Sequence, residues 1–299
     1  MFPIIPANTA ASFPENDEGI FGYGLAASNV STTNLVSNTG VVSSDVVGVG
    51  TARRALAACE YGGDKGIFGY GYTSTQVSMT NLVSNAGVVA SDQAATTGTA
   101  RHGPAACSYG EDKGIFGYGY DGSNNVSMTN LVSNAGVISS DVAGVGTDKI
   151  YQAACEYGGD KGIFGYGDAD TKVSTTNLVS NTGVVASDVA GVGTARSALA
   201  ACSYGGDKGI FGYGTTGSVT DATNLVSNAG VVASDVTGVG TARNWLAACE
   251  YGGDKGIFGF GNDGSVTDAT NIVSNAGVVA SDVTGVGTAR YVLAACSFN

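Results

Sequence analysis

Histidine and tryptophan each occur once in this sequence, at His102 and Trp245, and basic residues are scarce, with 13 lysines and arginines against 25 aspartates and glutamates. A single histidine excludes any centre that needs a cluster of imidazoles. The formal net charge of -12 would repel a phosphate backbone, and no run of Lys or Arg offsets it, so nucleic acid is not an expected partner. No stretch approaches the length of an apolar membrane span, and the start, Met-Phe-Pro-Ile-Ile-Pro, lacks the basic and apolar regions of a secretory signal. Charged residues make up only 13% of the chain, so apolar packing and backbone hydrogen bonds must carry the fold. No window shows a 3.6-residue apolar period, which argues against helices.

What the sequence does have is a repeated phrase. Gly-Ile-Phe-Gly-(Tyr/Phe)-Gly occurs six times, with its phenylalanine at Phe21, Phe68, Phe116, Phe164, Phe211 and Phe258. The units end at Arg53, Arg101, Lys149, Arg196, Arg243 and Arg290, a step of 47 or 48 residues. A fixed period of this length marks an array whose units bury their faces against one another, and so one domain over residues 17–299 behind an arm of residues 1–16. One cysteine falls in each unit (Cys59, Cys107, Cys155, Cys202, Cys249, Cys296). Equivalent positions on stacked sheets lie about 10 Å apart, beyond the reach of a disulfide, so these are expected to be reduced, buried and apolar in character. With no CxxC or Cys/His spacing beside them, they predict no metal.

Each unit divides into four short runs rich in β-branched and aromatic residues; in the fifth these cover 198–204, 208–213, 219–227 and 231–236. Gly205-Gly206-Asp207 separates the first two, and Asn228-Ala229-Gly230 the last two. Four strands per unit predict an all-β fold built of propeller blades. Strict alternation along the second run puts Phe211 and Tyr213 on one face and Ile210, Gly212 and Gly214 on the other, the glycines making room for the neighbouring blade's aromatics.

The order of unit-ending Arg, small apolar strand, Tyr-Gly-Gly, aromatic strand closing on Gly-Tyr-Gly, polar strand and final strand resembles the kelch repeat over nearly the whole chain, although the tryptophan usual in the fourth strand is missing. The resemblance implies a six-bladed β-propeller of four-stranded kelch-like blades. The near-identity of the units is also similar to repetitive propeller proteins of bacteriophages and other viruses, which implies a virion component such as a tail fibre or capsid-associated protein. Residues 292–296 are expected to close the first blade beside residues 19–24. The rival is closure by the worn copy Ala10-Ala11-Ser12-Phe13, leaving the C-terminal strand for another subunit in a homo-oligomer or head-to-tail filament.

Comparison of the units with one another locates candidate function. The turns between first and second runs and between third and fourth barely vary, whereas the connections between second and third runs, and from the fourth run to the next unit, differ in every repeat. In an up-and-down blade these two variable connections share one face. It would present Tyr72, His102, Tyr120, Asp121, Tyr151, Trp245 and Tyr291 as a binding surface. The recurring aspartates (Asp45, Asp92, Asp141, Asp188, Asp235, Asp282) and unit-ending Arg or Lys are read as pins between blades, because a catalytic centre needs asymmetry. Asn224 and Asn228 are read as bonding to backbone at strand ends, with a sugar site in each blade as the alternative.

Known propeller chemistries find no match. A copper oxidase would need two histidines, Ser234-Asp235-Val236-Thr237-Gly238 misses the sialidase Asp-box spacing, and Asp168-Ala169-Asp170 and Asn262-Asp263-Gly264 are too short for calcium loops. The expectation is a non-enzymatic structural and recognition scaffold without cofactor. Its partners would be neighbouring structural subunits or a host-surface receptor or glycan. The alternatives are a multivalent carbohydrate-binding lectin and a kelch-like protein-interaction adaptor.

Overall fold

The computed structural model describes residues 17–93 and 98–298. The arm of residues 1–16, with the worn copy at 10–13, lies outside the described residues. The described chain is all β: six three-stranded antiparallel sheets repeat along it, joined by one two-residue hairpin at Asp168–Ala169 and Thr171–Lys172, and no helix occurs among the described residues. In the fifth sheet Ala200–Tyr204, Lys208–Gly212 and Thr223–Val226 lie side by side, and the middle strand is the glycine–aromatic phrase.

The fourth run of each unit does not become a regular strand, a correction to the four-stranded expectation. It touches the third strand only through isolated bridges, Val226 to Val232 and Thr223 to Val236 in the fifth unit, and the register slips by one between them. Side chains hold it where a ladder would otherwise run. Asn224 Nδ2 donates to Ala233 O at 3.0 Å, and the Asp235 carboxylate accepts from the Thr194 amide and hydroxyl of the preceding unit.

The first sheet settles which strand completes it. Glu18–Gly22 pairs on one side with Thr33–Val36 and on the other with Ala294–Phe298, in the register Ile20 to Cys296 that the other five sheets use for their own first strands. The C-terminal strand is therefore consumed within the chain.

Neighbouring sheets meet along six equivalent seams. At each, the phenylalanine of one sheet meets the aromatic residue two places along the phrase in the sheet before it, with centroids 5.1–5.2 Å apart. Strict alternation fails here. Phe211 packs back onto Tyr166 while Tyr213 packs forward onto Phe258, because Tyr213 sits at φ 63°, which rotates its side chain to the face of Ile210. The glycine expectation holds at Gly212, where a Cβ would come within 2.7 Å of Phe258 Cζ, but not at Gly214, where it would meet Ser197 O and Leu199 of its own unit; at Gly209 a Cβ would come within 2.5 Å of Cys155 Sγ. All six cysteines are free and buried, and burial pushes their thiols up.

A fully buried cation fills each seam. The Arg196 guanidinium lies 4.3 Å from the Tyr166 ring centre, donates to Tyr213 O and Asn224 Oδ1, and stands 3.7 Å from Asp235. Burial opposes ionisation of Asp235, but hydrogen bonds from Thr194 and Asn224 outweigh it and hold the carboxyl below its ordinary value. The seam between last and first sheets uses the same parts: Arg290 over Phe260, donating to Tyr23 O, with Asp45 accepting from Thr288. The aspartates and arginines thus act as pins, as their recurrence suggests.

Candidate functional site

The axis around which the sheets stand is lined by their first strands, each of which adjoins those of the two neighbouring sheets, with Ala294–Phe298 closing the cycle between Ala247–Tyr251 and Ala57–Tyr61. Along it, Ala-Cys-Glu and Ala-Cys-Ser alternate to line a narrow channel of about 60 Å³, with Glu60, Glu156 and Glu250 between Ser108, Ser203 and Ser297. Ser108 Oγ donates to Glu156 Oε2 at 2.7 Å, and burial pushes the Glu156 carboxyl up against that bond. The alternation is plain in the sequence once the units are aligned on their cysteines.

Towards one end of this axis the backbone forms a ring of hydrogen bonds. The amides of Ala55, Gly103, Tyr151, Ala198, Trp245 and Val292 each donate to the carbonyl of the equivalent residue one unit earlier, at 2.7–3.1 Å, and the bond from Ala55 to Val292 joins the two ends of the cycle. All six hold φ between 53° and 63°. Such a conformation is easy for Gly103 and costly for the β-branched Val292, so a common backbone geometry is imposed on six different side chains. Beneath the ring lie Leu56, Pro104, Gln152, Leu199, Leu246 and Leu293 around a throat of about 70 Å³. Gln152 is the polar exception; its Nε2 donates to Gly117 O and its buried Oε1 has no partner among the described residues.

Above the ring opens a vestibule of about 560 Å³. Its walls are positioned by paired backbone bonds between the two variable connections of each unit, such as Arg54 with Tyr72 and His102 with Tyr120, which confirms that those connections share a face. Five of the seven candidate residues meet here: Tyr72, His102, Tyr151, Trp245 and Tyr291. His102 is the hub, with ring centroids 5.4 Å from Tyr72, 5.5 Å from Tyr120 and 6.1 Å from Tyr151, while Tyr151 and Trp245 meet edge to face at 4.4 Å. Tyr120 touches His102 from behind this wall and itself lines a neighbouring cleft rather than the vestibule. Burial, and then the charge of Arg54, hold His102 below its ordinary value, so it is neutral at pH 7.

Asp121 lies elsewhere. It belongs, with Tyr120, Asp148 and Asp170, to a separate cleft of about 720 Å³, and its carboxylate accepts from the amides of Ser123 and Asn124 in its own turn, which keeps it from the vestibule. Sequence reasoning missed Arg54 and Gln76. The Arg54 guanidinium sits 4.9 Å from the Tyr72 ring centre and donates to Asn29 Oδ1 at 3.0 Å. Its signal was available, since the matching positions in other units are His102, Ile150, Ser197, Asn244 and Tyr291.

The first asparagine of each pair is fully buried in all six units. Asn224, with both ends of its amide engaged, bonds to backbone at Ala233 as expected, whereas Asn228 donates to the Asp207 carboxylate, a correction to the backbone partner expected for it. Among the described residues no group of three or more His, Cys, Asp or Glu is arranged to hold a metal ion. No protein-family model matches the chain, and no curated protein matches it.

Proposed function

We propose that the chain is a six-bladed, kelch-like β-propeller that works without catalysis as a recognition scaffold, and that recognition takes place in the axial vestibule. The observation that carries this reading is the convergence of Tyr72, His102, Tyr151, Trp245 and Tyr291, from connections that differ in every repeat, above a ring in which all six repeats keep one backbone geometry. Six like seams, including the one between last and first sheets, support the propeller. Half-buried aromatic rings around a concave opening are the groups that anchor ligands, since they offer large area with a polar tip. Asymmetry favours one site per chain over a lectin with a pocket in every blade. A virion setting, with a host-surface glycan or neighbouring subunit as partner, rests on the resemblance alone.

The repeats supply the test variants. Alanine already occupies the position of Trp245 in two units, at Ala55 and Ala198, and serine the position of Tyr291, at Ser197. Glycan and peptide arrays probed with the native protein and with Trp245→Ala/Tyr291→Ser should show every specific signal lost in the variant. Its stability should change by no more than about 0.5 kcal/mol, as for substitutions outside a core. Signals that survive the double substitution would refute the vestibule.

A further inference from the structure

Charge in the vestibule runs against that of the rest of the molecule. The chain as a whole carries 25 acidic residues to 13 basic ones, yet among the described residues no carboxylate lines this opening. Arg54 is there instead: burial and then its field lower the His102 imidazole, and at Tyr151 burial raises the phenol while Arg54 pulls it down and the Asp168 carboxylate, outside the opening, pushes it up. Among the described residues that line the opening, the Arg54 guanidinium is the permanent charge. Among the described residues Asn29 takes up one of its five N–H donors, and a guanidinium fork is suited to a carboxylate, which it meets in two parallel bonds.

The walls narrow the choice further. Tyr72, Tyr151 and Tyr291 each present an apolar ring and a hydroxyl, Trp245 a ring and an N–H, and Gln76 an amide within 3.4 Å of His102 Nδ1. A ligand that alternates C–H faces with hydroxyls satisfies such walls better than an aliphatic one, which would leave the polar tips unpaired. About 560 Å³ falls within the range of small-molecule sites and gives a compact ring ample room. We infer that the vestibule binds a saccharide unit carrying a carboxylate, a uronate or sialate, with the acid on Arg54 and the sugar ring against Trp245 and Tyr151. This rests on the vestibule being the recognition site.

Trp245 is the sole tryptophan, so its fluorescence reports on the cleft directly. The full chain is titrated with glucuronate and N-acetylneuraminate, with glucose and N-acetylglucosamine as neutral counterparts, and with acetate for the carboxylate alone. The expected result is a saturable change with at least one acidic sugar, about tenfold or more tighter than the neutral sugars and than acetate. Arg54→Ser, which copies Ser197, should erase the preference for the acid, and Arg54→Lys should restore part of it. Equal binding of neutral sugars, a preference that survives Arg54→Ser, or no saturation by any acidic sugar at millimolar concentration overturns the inference. Failure here with array signals that still depend on Trp245 leaves the vestibule standing and removes only the acidic sugar. Array signals indifferent to Trp245 remove both.

Discussion

The two ends of the axis are built from the same six repeats and use them in opposite ways. At one end, the glycines that open the turns, Gly62, Gly110, Gly158, Gly205 and Gly252, donate to the carbonyl of an aspartate in the next unit, and the side chains repeat almost unchanged, with Lys beside Asp in turn after turn. At the other, an equally regular backbone ring carries Ala, Gly, Tyr, Ala, Trp and Val. Backbone bonds make closure independent of side-chain identity. Where the side chains then project into an opening rather than into a seam, they are free to differ. This is the physical content of one face diversifying while the other stays fixed.

The largest effect that would sharpen this contrast lies in the seams. Phe258 is fully buried and fills the space above Gly212 against Tyr213, so Phe258→Ala should cost about 3–5 kcal/mol by chemical denaturation, against the near-zero change of the vestibule variants. A cost near that of Trp245→Ala would erase the distinction between seam and vestibule.

A middling effect comes from the one irregular pin. Lys149 stands where five units have arginine; its Nζ donates to Asn177 Oδ1, and burial depresses its pKa from 10.5 to about 8 although Asp188 pulls it up. Below pH 8 both folded and unfolded chains hold the proton, and the cost of burying the charge is present in full. Above it the folded chain releases the proton first, the unfolded chain binds more, and stability rises. Between about pH 8 and 10 the native protein should therefore gain on Lys149→Arg, whose guanidinium stays charged. Parallel stability curves for the two proteins would show that the seam around Lys149 leaves its proton affinity alone.

The smallest effect has the opposite sign. Gln152 holds a position that is leucine in four other units, with a buried oxygen left unpaired among the described residues, so Gln152→Leu should raise stability by about 1 kcal/mol. A loss of stability on thermal or chemical unfolding would mean that Gln152 is needed by the throat.

Much of this was legible in the residues. The six-fold phrase predicted six like sheets, the constancy of Asp and Arg predicted pins, and comparison of repeats led to the face on which five candidates meet. Three things were hidden because they depend on backbone geometry that a pattern of residue types does not encode. Tyr213 turns to the other face through a positive φ, as its counterparts do. The fourth run is held off the sheet by the bond from Asn224 to backbone, which the sequence suggested, and by one from Thr194, which looks in sequence like an ordinary polar residue. Asp121 is kept from the vestibule by the amides of its own turn.

Everything at the vestibule depends on a cycle that the chain must join from its two ends, and amide hydrogen exchange tests that junction most directly. The Ala55 amide bonds to Val292 across the junction, whereas the equivalent Ala198 amide bonds to Tyr151 within the continuous chain. A closed ring predicts that Ala55 and Ala198 exchange equally slowly, both at the rate of global unfolding. Exchange at Ala55 much faster than at Ala198 would show a ring that opens at its ends, and would contradict the account.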